Sequence, residues 1–172
     1  MNHEPDSSSL LNQELLAHES IGMLANLMLE KGLFLATAES CTGGMIAAAC
    51  TDLAGSSAWF DRGFVTYSNE AKTQMLGVDA ALIQQHGAVS EPVARAMAFG
   101  AIRHSAAQVS VAVTGVAGPS GGSADKPVGM VWFGFSVEGT LTSEMMRFHG
   151  DRAAVRVATV RNAVQRLVIL LG

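Results

Sequence analysis

The apolar positions of the chain follow two spacings, and these predict where helices and strands lie. Apolar side chains recur every three or four positions over 11–31, which predicts a helix that ends at Lys31 with Gly32 as its C-cap. Short apolar runs predict buried strands at 33–38, 62–67 and 109–113. Helical spacing and capping residues predict further helices at 45–51, 68–76, 79–86, 90–104 and from Asp151 to the end.

Two later apolar runs predict an antiparallel hairpin. They cover 129–137 and 141–148 and flank the turn Glu138-Gly139. The earlier strands alternate with helices, so we expect a three-layer α/β/α fold whose mixed, mostly parallel sheet has about five strands. In such sheets ligands gather beyond the carboxyl ends of the parallel strands. The turns that follow strands are therefore where we look for function.

Composition and charge limit the classes of protein to which this chain can belong. Hydrophobic residues make up 49% of the chain and charged residues 15%, so a single domain over 11–172 can bury its own core. Residues 1–10 are acidic and rich in serine, which predicts a frayed tail and not a signal peptide. No apolar stretch reaches the ~20 residues of a membrane span. The net charge of −4 comes without a basic run, so we expect neither a nucleic-acid nor a membrane partner.

The two cysteines, Cys41 and Cys50, have no metal-like spacing and no paired histidines nearby. This pattern predicts neither a disulfide framework nor a metal site, and is typical of a protein of the reducing cytoplasm.

The first candidate for chemistry is the turn after the first strand, Ser40 to Gly44. Backbone N–H groups at a helix start form a ready oxyanion site, and glycines let a ligand approach closely. The alternative is that Ser40 and Thr42 only cap the helix, with Thr42 as N-cap. Cys41 is a second candidate nucleophile, although a buried, inert thiol is the default for such a residue. The flanking Glu39 leaves further interpretations open.

The turn after the second strand places Tyr67 at the strand tip and Lys72 about one turn into the next helix. A lysine activates a serine only if its ammonium loses a proton near neutral pH, which requires partial burial or a cationic neighbour. Most helical lysines are solvated, so a surface position is the default for Lys72.

Two later segments are suited to binding an anion or a sugar. Thr114 and Gly115 follow the third strand, and the glycine-rich loop 118–127 after them is either a mobile lid or a disordered segment. Arg152 lies in the first turn of the last helix, where positive charge opposes the helix dipole. A ligand anion such as a phosphate would compensate for this unfavourable position.

Five motifs, taken together, resemble one known family. They are TAESCTGG at 37–44, GFVTYSNEAK at 63–72, GAVS at 87–90, TGVAGP at 114–119 and GDR at 150–152. In order and spacing they resemble the CinA C-terminal domain family over nearly the whole chain. The full-length relatives carry an additional N-terminal domain similar to molybdopterin-binding proteins, so this chain looks like the stand-alone form.

The resemblance implies an activity and a set of site residues. The family includes nicotinamide-nucleotide amidases, which convert nicotinamide mononucleotide (NMN) to nicotinate mononucleotide and ammonia. By resemblance, Ser40 is the nucleophile, Lys72 its general base, and Tyr67 assists the proton transfer or orients the pair. Oxyanion or nucleotide contacts are implied for Thr42, Gly43, Gly44, Ser57, Thr114, Gly115 and Arg152. The resemblance also implies no metal, no cofactor, and a homodimer or higher homo-oligomer.

Two other functions are compatible with the same residues. One is a nucleotide-binding or regulatory module that has kept the pocket and lost catalysis. The other is a Ser–Lys hydrolase acting on a different amide. Two measurements distinguish these three functions: whether the protein releases ammonia from NMN, and whether that release requires the phosphate of the substrate.

Overall fold

The computed structural model describes residues 7–172, with side chains from residue 19 onward. The helices of this part of the chain are α1 (Ser7–Lys31), α2 (Met45–Thr51), α3 (Asn69–Leu76), α4 (Ala80–His86), α5 (Glu91–Arg103) and α6 (Arg152–Leu171). The strands are β1 (Leu35–Glu39), β2 (Phe60–Val65), β3 (Val109–Gly115), β4 (Met130–Val137) and β5 (Thr140–Arg147). The predicted tail at 1–10 falls partly outside the described residues, and α1 begins at Ser7, four residues before the predicted start at 11.

The five strands form one mixed sheet in the order β2-β1-β3-β4-β5. The first three strands in this order are parallel, and β4 and β5 complete the sheet as an antiparallel hairpin. The predicted α/β fold class is thereby confirmed. The chain leaves β1 toward β2 on one side and reaches β3 on the other, so a crevice opens between the carboxyl ends of β1 and β3.

Helices cover both faces of the sheet. Helices α1, α2 and α6 pack over one core, in which Leu35, Val111 and Phe133 lie, while α3, α4 and α5 pack over the other. The α5 face is built from small side chains, and a Cβ added at Gly134 would lie 2.3 Å from the Ala94 carbonyl oxygen of α5. Glycine at 134 therefore allows α5 to lie directly against β4. Within the described residues, no helix combines the length and hydropathy needed to cross a membrane.

The capping residues predicted the boundaries of helix α3 correctly. Ser68 accepts a hydrogen bond from the Ala71 amide at the start of α3, and Gly77 ends that helix in the left-handed region. Strand β2 differs from the prediction, since it covers Phe60–Val65 instead of 62–67. Tyr67 consequently lies beyond the strand, in the loop that leads to α3.

Candidate active site

The nucleophile turn is the segment Ser40–Gly44 between β1 and α2, named after its candidate nucleophile, Ser40. Ser40 continues the ladder of β1, because its amide donates to the Val113 carbonyl of β3 at 3.1 Å, and the chain then turns back through a hydrogen bond from the Gly43 amide to the Ser40 carbonyl at 3.1 Å. Gly43 and Gly44 have φ values of +60° and +101°, which side-chain-bearing residues rarely adopt. The turn holds Ser40 at the edge of the crevice with 9% of its surface exposed.

A buried carboxylate, Glu39, holds this turn from inside. One of its oxygens accepts from Thr42 Oγ1 at 2.7 Å and the Ile46 amide at 2.8 Å. The other accepts from Thr37 Oγ1 at 3.1 Å and the Ala47 amide at 2.9 Å. Glu39 therefore caps α2 and joins the strand, the turn and the helix in one network.

The prediction that Thr42 is the N-cap of α2 is wrong. The N-cap is Gly44, which has no side chain to donate or accept a hydrogen bond, and Thr42 is fully buried with its hydroxyl directed to Glu39. The Thr42 carbonyl accepts from the Met45 amide and Glu39 from the next two amides of α2, so only turn amides are left for a ligand. Among the described residues no acceptor is found for the amides of Thr42 and Gly44.

Lys72 of α3 is 1% exposed and reaches the nucleophile turn. Its Nζ donates to Ser40 Oγ at 3.1 Å, to the Thr66 carbonyl at 2.9 Å and to the Tyr67 carbonyl at 3.4 Å. The default of a solvated surface lysine is therefore wrong here. Burial lowers the pKa of Lys72 from its ordinary value of 10.5, and no described carboxylate forms an ion pair with it to oppose that change. Lys72 is thus placed to accept a proton from Ser40.

The two cysteines are buried, unreactive thiols, as the default interpretation of Cys41 predicted. Burial raises the pKa of the Cys41 thiol to about 11 and that of Cys50 to about 12. Both are free thiols, and both hold their protons at neutral pH. A neutral thiol is a poor nucleophile, so Ser40 is the stronger candidate in this turn.

Tyr67 contacts Lys72 through its backbone only. Its side chain is 63% exposed, and its hydroxyl accepts a hydrogen bond from Arg152 Nη2 at 3.3 Å instead of meeting Ser40 or Lys72. Arg152 also donates through Nη1 to the Gly118 carbonyl at 2.9 Å. Arg152 lines a cavity of about 640 Å³ between the start of α6 and the loop after β3. The lining residues include Ala117, Pro119, Val128, Gly150, Arg152 and Arg156.

The remaining predicted residues lie in three different settings. Thr114 is buried beside the carboxyl end of β1, and its hydroxyl donates to the Ala88 carbonyl at 2.8 Å. Gly115 is required by strand packing, since an added Cβ would lie 2.7 Å from Val131 Cγ2. Ser57 is exposed in the 3₁₀ turn that precedes β2.

Ser57 is not brought to the site within this chain. Phe60, at the start of β2, pairs with Leu35, at the start of β1, whereas Ser40 follows the end of β1. Ser57 therefore lies near the amino ends of β1 and β2 and Ser40 at the carboxyl end of β1, so the two serines are separated by the length of a strand.

One residue that the sequence reasoning missed is Arg156 of α6. Its Nε donates to the Cys41 carbonyl at 3.1 Å and its Nη2 to the Thr42 carbonyl at 3.0 Å. The available signal was its spacing of four residues from Arg152, which puts both guanidinium groups on one helix face. Among the described residues there is no group of three or more His, Cys, Asp or Glu side chains that could hold a metal ion.

Comparison with known proteins identifies the family to which this chain belongs. A family model for the CinA C-terminal domain matches residues 18–171. The chain belongs to the CinA C-terminal domain family. Its members include relatives that are similar to this chain over most of their own length.

Several relatives carry the name nicotinamide-nucleotide amidohydrolase PncC. The one from Enterobacter agglomerans is 58% identical over 128 residues, covering 74% of this chain and 78% of the relative. The one from Escherichia coli K12 is 55% identical over 140 residues, covering 80% and 84%. A solved structure of the competence/damage inducible protein CihA from Agrobacterium tumefaciens superposes with a TM-score of 0.83 at 46% identity, over 99% of both chains. A CinA superfamily protein from Klebsiella pneumoniae gives a TM-score of 0.87 at 40% identity, over 90% of this chain and 97% of the other.

Proposed function

We propose that this CinA-family protein is a nicotinamide-nucleotide amidase that hydrolyses the carboxamide of NMN to nicotinate mononucleotide and ammonia. The observation that carries the proposal is the 3.1 Å contact between Lys72 Nζ and Ser40 Oγ, both buried beside the carboxyl ends of β1 and β2. The substrate named for the PncC relatives supports the choice of a nicotinamide nucleotide.

Lys72 is the general base in this proposal. A neutral lysine amine has two N–H groups and one lone pair. The carbonyls of Thr66 and Tyr67 accept from the two N–H groups, so the lone pair faces the Ser40 hydroxyl, which then donates to it. Tyr67, whose hydroxyl is directed to Arg152, serves the substrate side of the site and not the first proton transfer.

The first half of the reaction forms an ester. Ser40 Oγ attacks the carboxamide carbon while Lys72 takes its proton, which gives a tetrahedral intermediate. The oxyanion is held by the amides of Thr42 and Gly44, which have no acceptor among the described residues. The Lys72 ammonium then protonates the amide nitrogen, the C–N bond breaks, and ammonia leaves.

The second half restores the enzyme. A water molecule gives a proton to Lys72 and attacks the ester carbon, and the collapse of the second tetrahedral intermediate returns that proton to Ser40 Oγ. The products are nicotinate mononucleotide and free Ser40. The chain's own residues carry every proton in this scheme, so it requires neither a metal ion nor a cofactor.

Substrate binding is assigned to the groups around the cavity. Arg152 offers a guanidinium, oriented by Tyr67 and the Gly118 carbonyl, to the substrate phosphate. Gly43 and Gly44 let the substrate approach the backbone of the nucleophile turn. Thr114 and Gly115, at the end of β3, form the opposite wall of the crevice.

The test is ammonia release from NMN by the purified protein and by two variants. Ser40→Ala and Lys72→Met are each expected to lower kcat by at least about 10³-fold, because both act in the same proton transfer. Ser56→Ala, in the 3₁₀ turn far from Ser40, is the matched control and should turn over like wild type. Retained turnover in Ser40→Ala contradicts the nucleophile assignment. Binding of NMN that raises Tm without ammonia release indicates a nucleotide-binding module instead.

Compartment and assembly complete the proposal. We place the reaction in the cytoplasm, because both cysteines are buried free thiols. We place the protein in a homodimer or higher homo-oligomer, since apolar side chains such as Val157 and Ile169 of α6 are 48% and 62% exposed. Light scattering during size-exclusion chromatography tests the second statement, and a monomer contradicts it.

A further inference from the structure

We propose that Arg156 is a positioning residue that holds the nucleophile turn in its reacting arrangement from the side of α6. The inference rests on the proposed function, because it takes Ser40 as the nucleophile. It adds a residue that lies 115 positions from Cys41, whose carbonyl it binds.

The contacts of Arg156 are directed to the turn's backbone. Two of its nitrogens, Nε and Nη2, donate at 3.1 and 3.0 Å to the successive carbonyls of Cys41 and Thr42. The planar fork of a guanidinium is rigid, so binding two neighbouring carbonyls fixes both peptide groups at once.

Fixing a carbonyl also fixes an amide. The Cys41 carbonyl and the Thr42 amide belong to one planar trans peptide group, so the direction of one sets the direction of the other. The Thr42 amide has no acceptor among the described residues and is one of the two assigned to the oxyanion. Arg156 therefore orients an oxyanion donor without touching the substrate.

The nucleophile turn needs such support from outside. Gly43 and Gly44 have no side chains to anchor them, and glycine has the greatest backbone freedom. Glu39 holds the turn only on the strand side, through the Thr42 hydroxyl and α2. Arg156 supplies the second support, from α6.

The charge of Arg156 acts on the same atoms. Burial and the negative charge of Glu39 raise the pKa of Cys41 to about 11, and the positive charge of Arg156 opposes that rise. The same positive charge offsets part of the unfavourable effect of Glu39 on an oxyanion held by the turn.

Arg152 and Arg156 line the same cavity and are assigned different tasks. Arg152 meets the substrate anion, so its loss should raise KM. Arg156 has two donor groups engaged by the turn, so its loss should lower kcat and leave KM within about threefold. If Arg156 bound the substrate phosphate instead, its loss would raise KM.

The experiment compares Arg156→Met and Arg156→Lys with a control on the same helix, Arg161→Met. Among the described residues, the Arg161 side chain forms no hydrogen bond with the nucleophile turn. We expect kcat for NMN to fall by about 10- to 100-fold in Arg156→Met, because small displacements of a reacting group are costly. Lysine keeps the positive charge but lacks the planar fork and binds only one of the two carbonyls. Arg156→Lys should therefore have a kcat between those of wild type and Arg156→Met. Arg161→Met should match wild type. Thermal melting shows whether each variant folds. If Arg156→Met does not fold, the kcat and KM of Arg156→Lys provide the test in its place.

A second measurement separates this inference from the choice of substrate. A fluorophosphonate labels an activated serine without NMN, and intact mass gives the rate at Ser40. Slower labelling in Arg156→Met supports the inference even if wild type releases no ammonia, in which case only the proposed function fails. Wild-type labelling and wild-type kcat in Arg156→Met overturn the inference while the amidase remains. A raised KM with unchanged kcat also overturns it.

Discussion

Replacing Glu39 by glutamine tests the network that holds the nucleophile turn. The side chain keeps its volume, so no cavity forms, but one acceptor oxygen becomes an NH₂ donor. In either orientation the new amide faces one hydroxyl and one backbone N–H: Thr42 and Ile46 on one side, Thr37 and Ala47 on the other. The hydroxyl can rotate to accept, whereas the backbone N–H loses its acceptor.

The expected cost follows from these contacts. A buried N–H without an acceptor costs about 1–3 kcal/mol, and the remaining bonds weaken because hydrogen bonds to charged groups exceed neutral ones by about 1 kcal/mol each. The oxygen that remains keeps two hydrogen bonds, so we expect Glu39→Gln to lower the free energy of unfolding by about 3–5 kcal/mol. Domains of this size have roughly 5–15 kcal/mol of stability, so the variant should fold and remain measurable.

Urea unfolding provides the assay, with the fluorescence of buried Trp59 as one reporter. Glu30→Gln, which changes an exposed carboxylate of α1 in the same way, is the control and should stay within about 0.5 kcal/mol of wild type. The turnover of Glu39→Gln should also fall, because the turn loses its inner support. A loss below about 1 kcal/mol with an unchanged m-value refutes the reasoning, since the carboxylate would then contribute no more than a neutral acceptor.

Three further outcomes are expected. The kcat/KM for NMN should rise with pH as Lys72 loses its proton, with a midpoint below the ordinary value of 10.5 because burial lowers its pKa; a midpoint at the ordinary value contradicts Lys72 as the buried base. Arg152→Ala should raise KM for NMN about tenfold or more without a comparable change for the riboside, which lacks the phosphate, and an equal change for both excludes a phosphate contact. Iodoacetamide at neutral pH should leave ammonia release unchanged, because the pKa of Cys41 near 11 keeps the thiol protonated; rapid inactivation that Cys41→Ser abolishes would return Cys41 to the list of nucleophiles.

Features set by neighbouring residues could be predicted from the sequence. Ser68, Gly77 and Asp151 cap helices as expected, because a cap depends on one side chain and the few amides next to it. The hairpin around Glu138-Gly139 and the parallel arrangement of the first three strands follow from turn chemistry and from the order of elements.

Features that depend on distant parts of the chain could not be predicted from the sequence. Lys72 has the spacing of a solvated helical residue, and its burial comes from the ends of β1 and β2, which pack around it. Thr42 satisfied the pattern of an N-cap, but the Ile46 and Ala47 amides donate to Glu39 instead, and the burial of that carboxylate depends on the strands paired on both sides of β1. The contact of Arg156 with the turn has no local signal beyond its helix face.

The span of that last contact has a consequence for the order in which the site is assembled. Glu39 and the glycines lie beside Ser40, so a nascent chain can form the turn early. Arg156 belongs to the final helix, and its hydrogen bonds to the turn join residues 115 and 114 positions apart. The turn therefore lacks its second support until residue 156 has been synthesised and α6 has docked. On the proposed mechanism, a chain whose α6 has not docked would leave the Thr42 amide poorly oriented for the oxyanion, so turnover would reach its full rate only after this docking step.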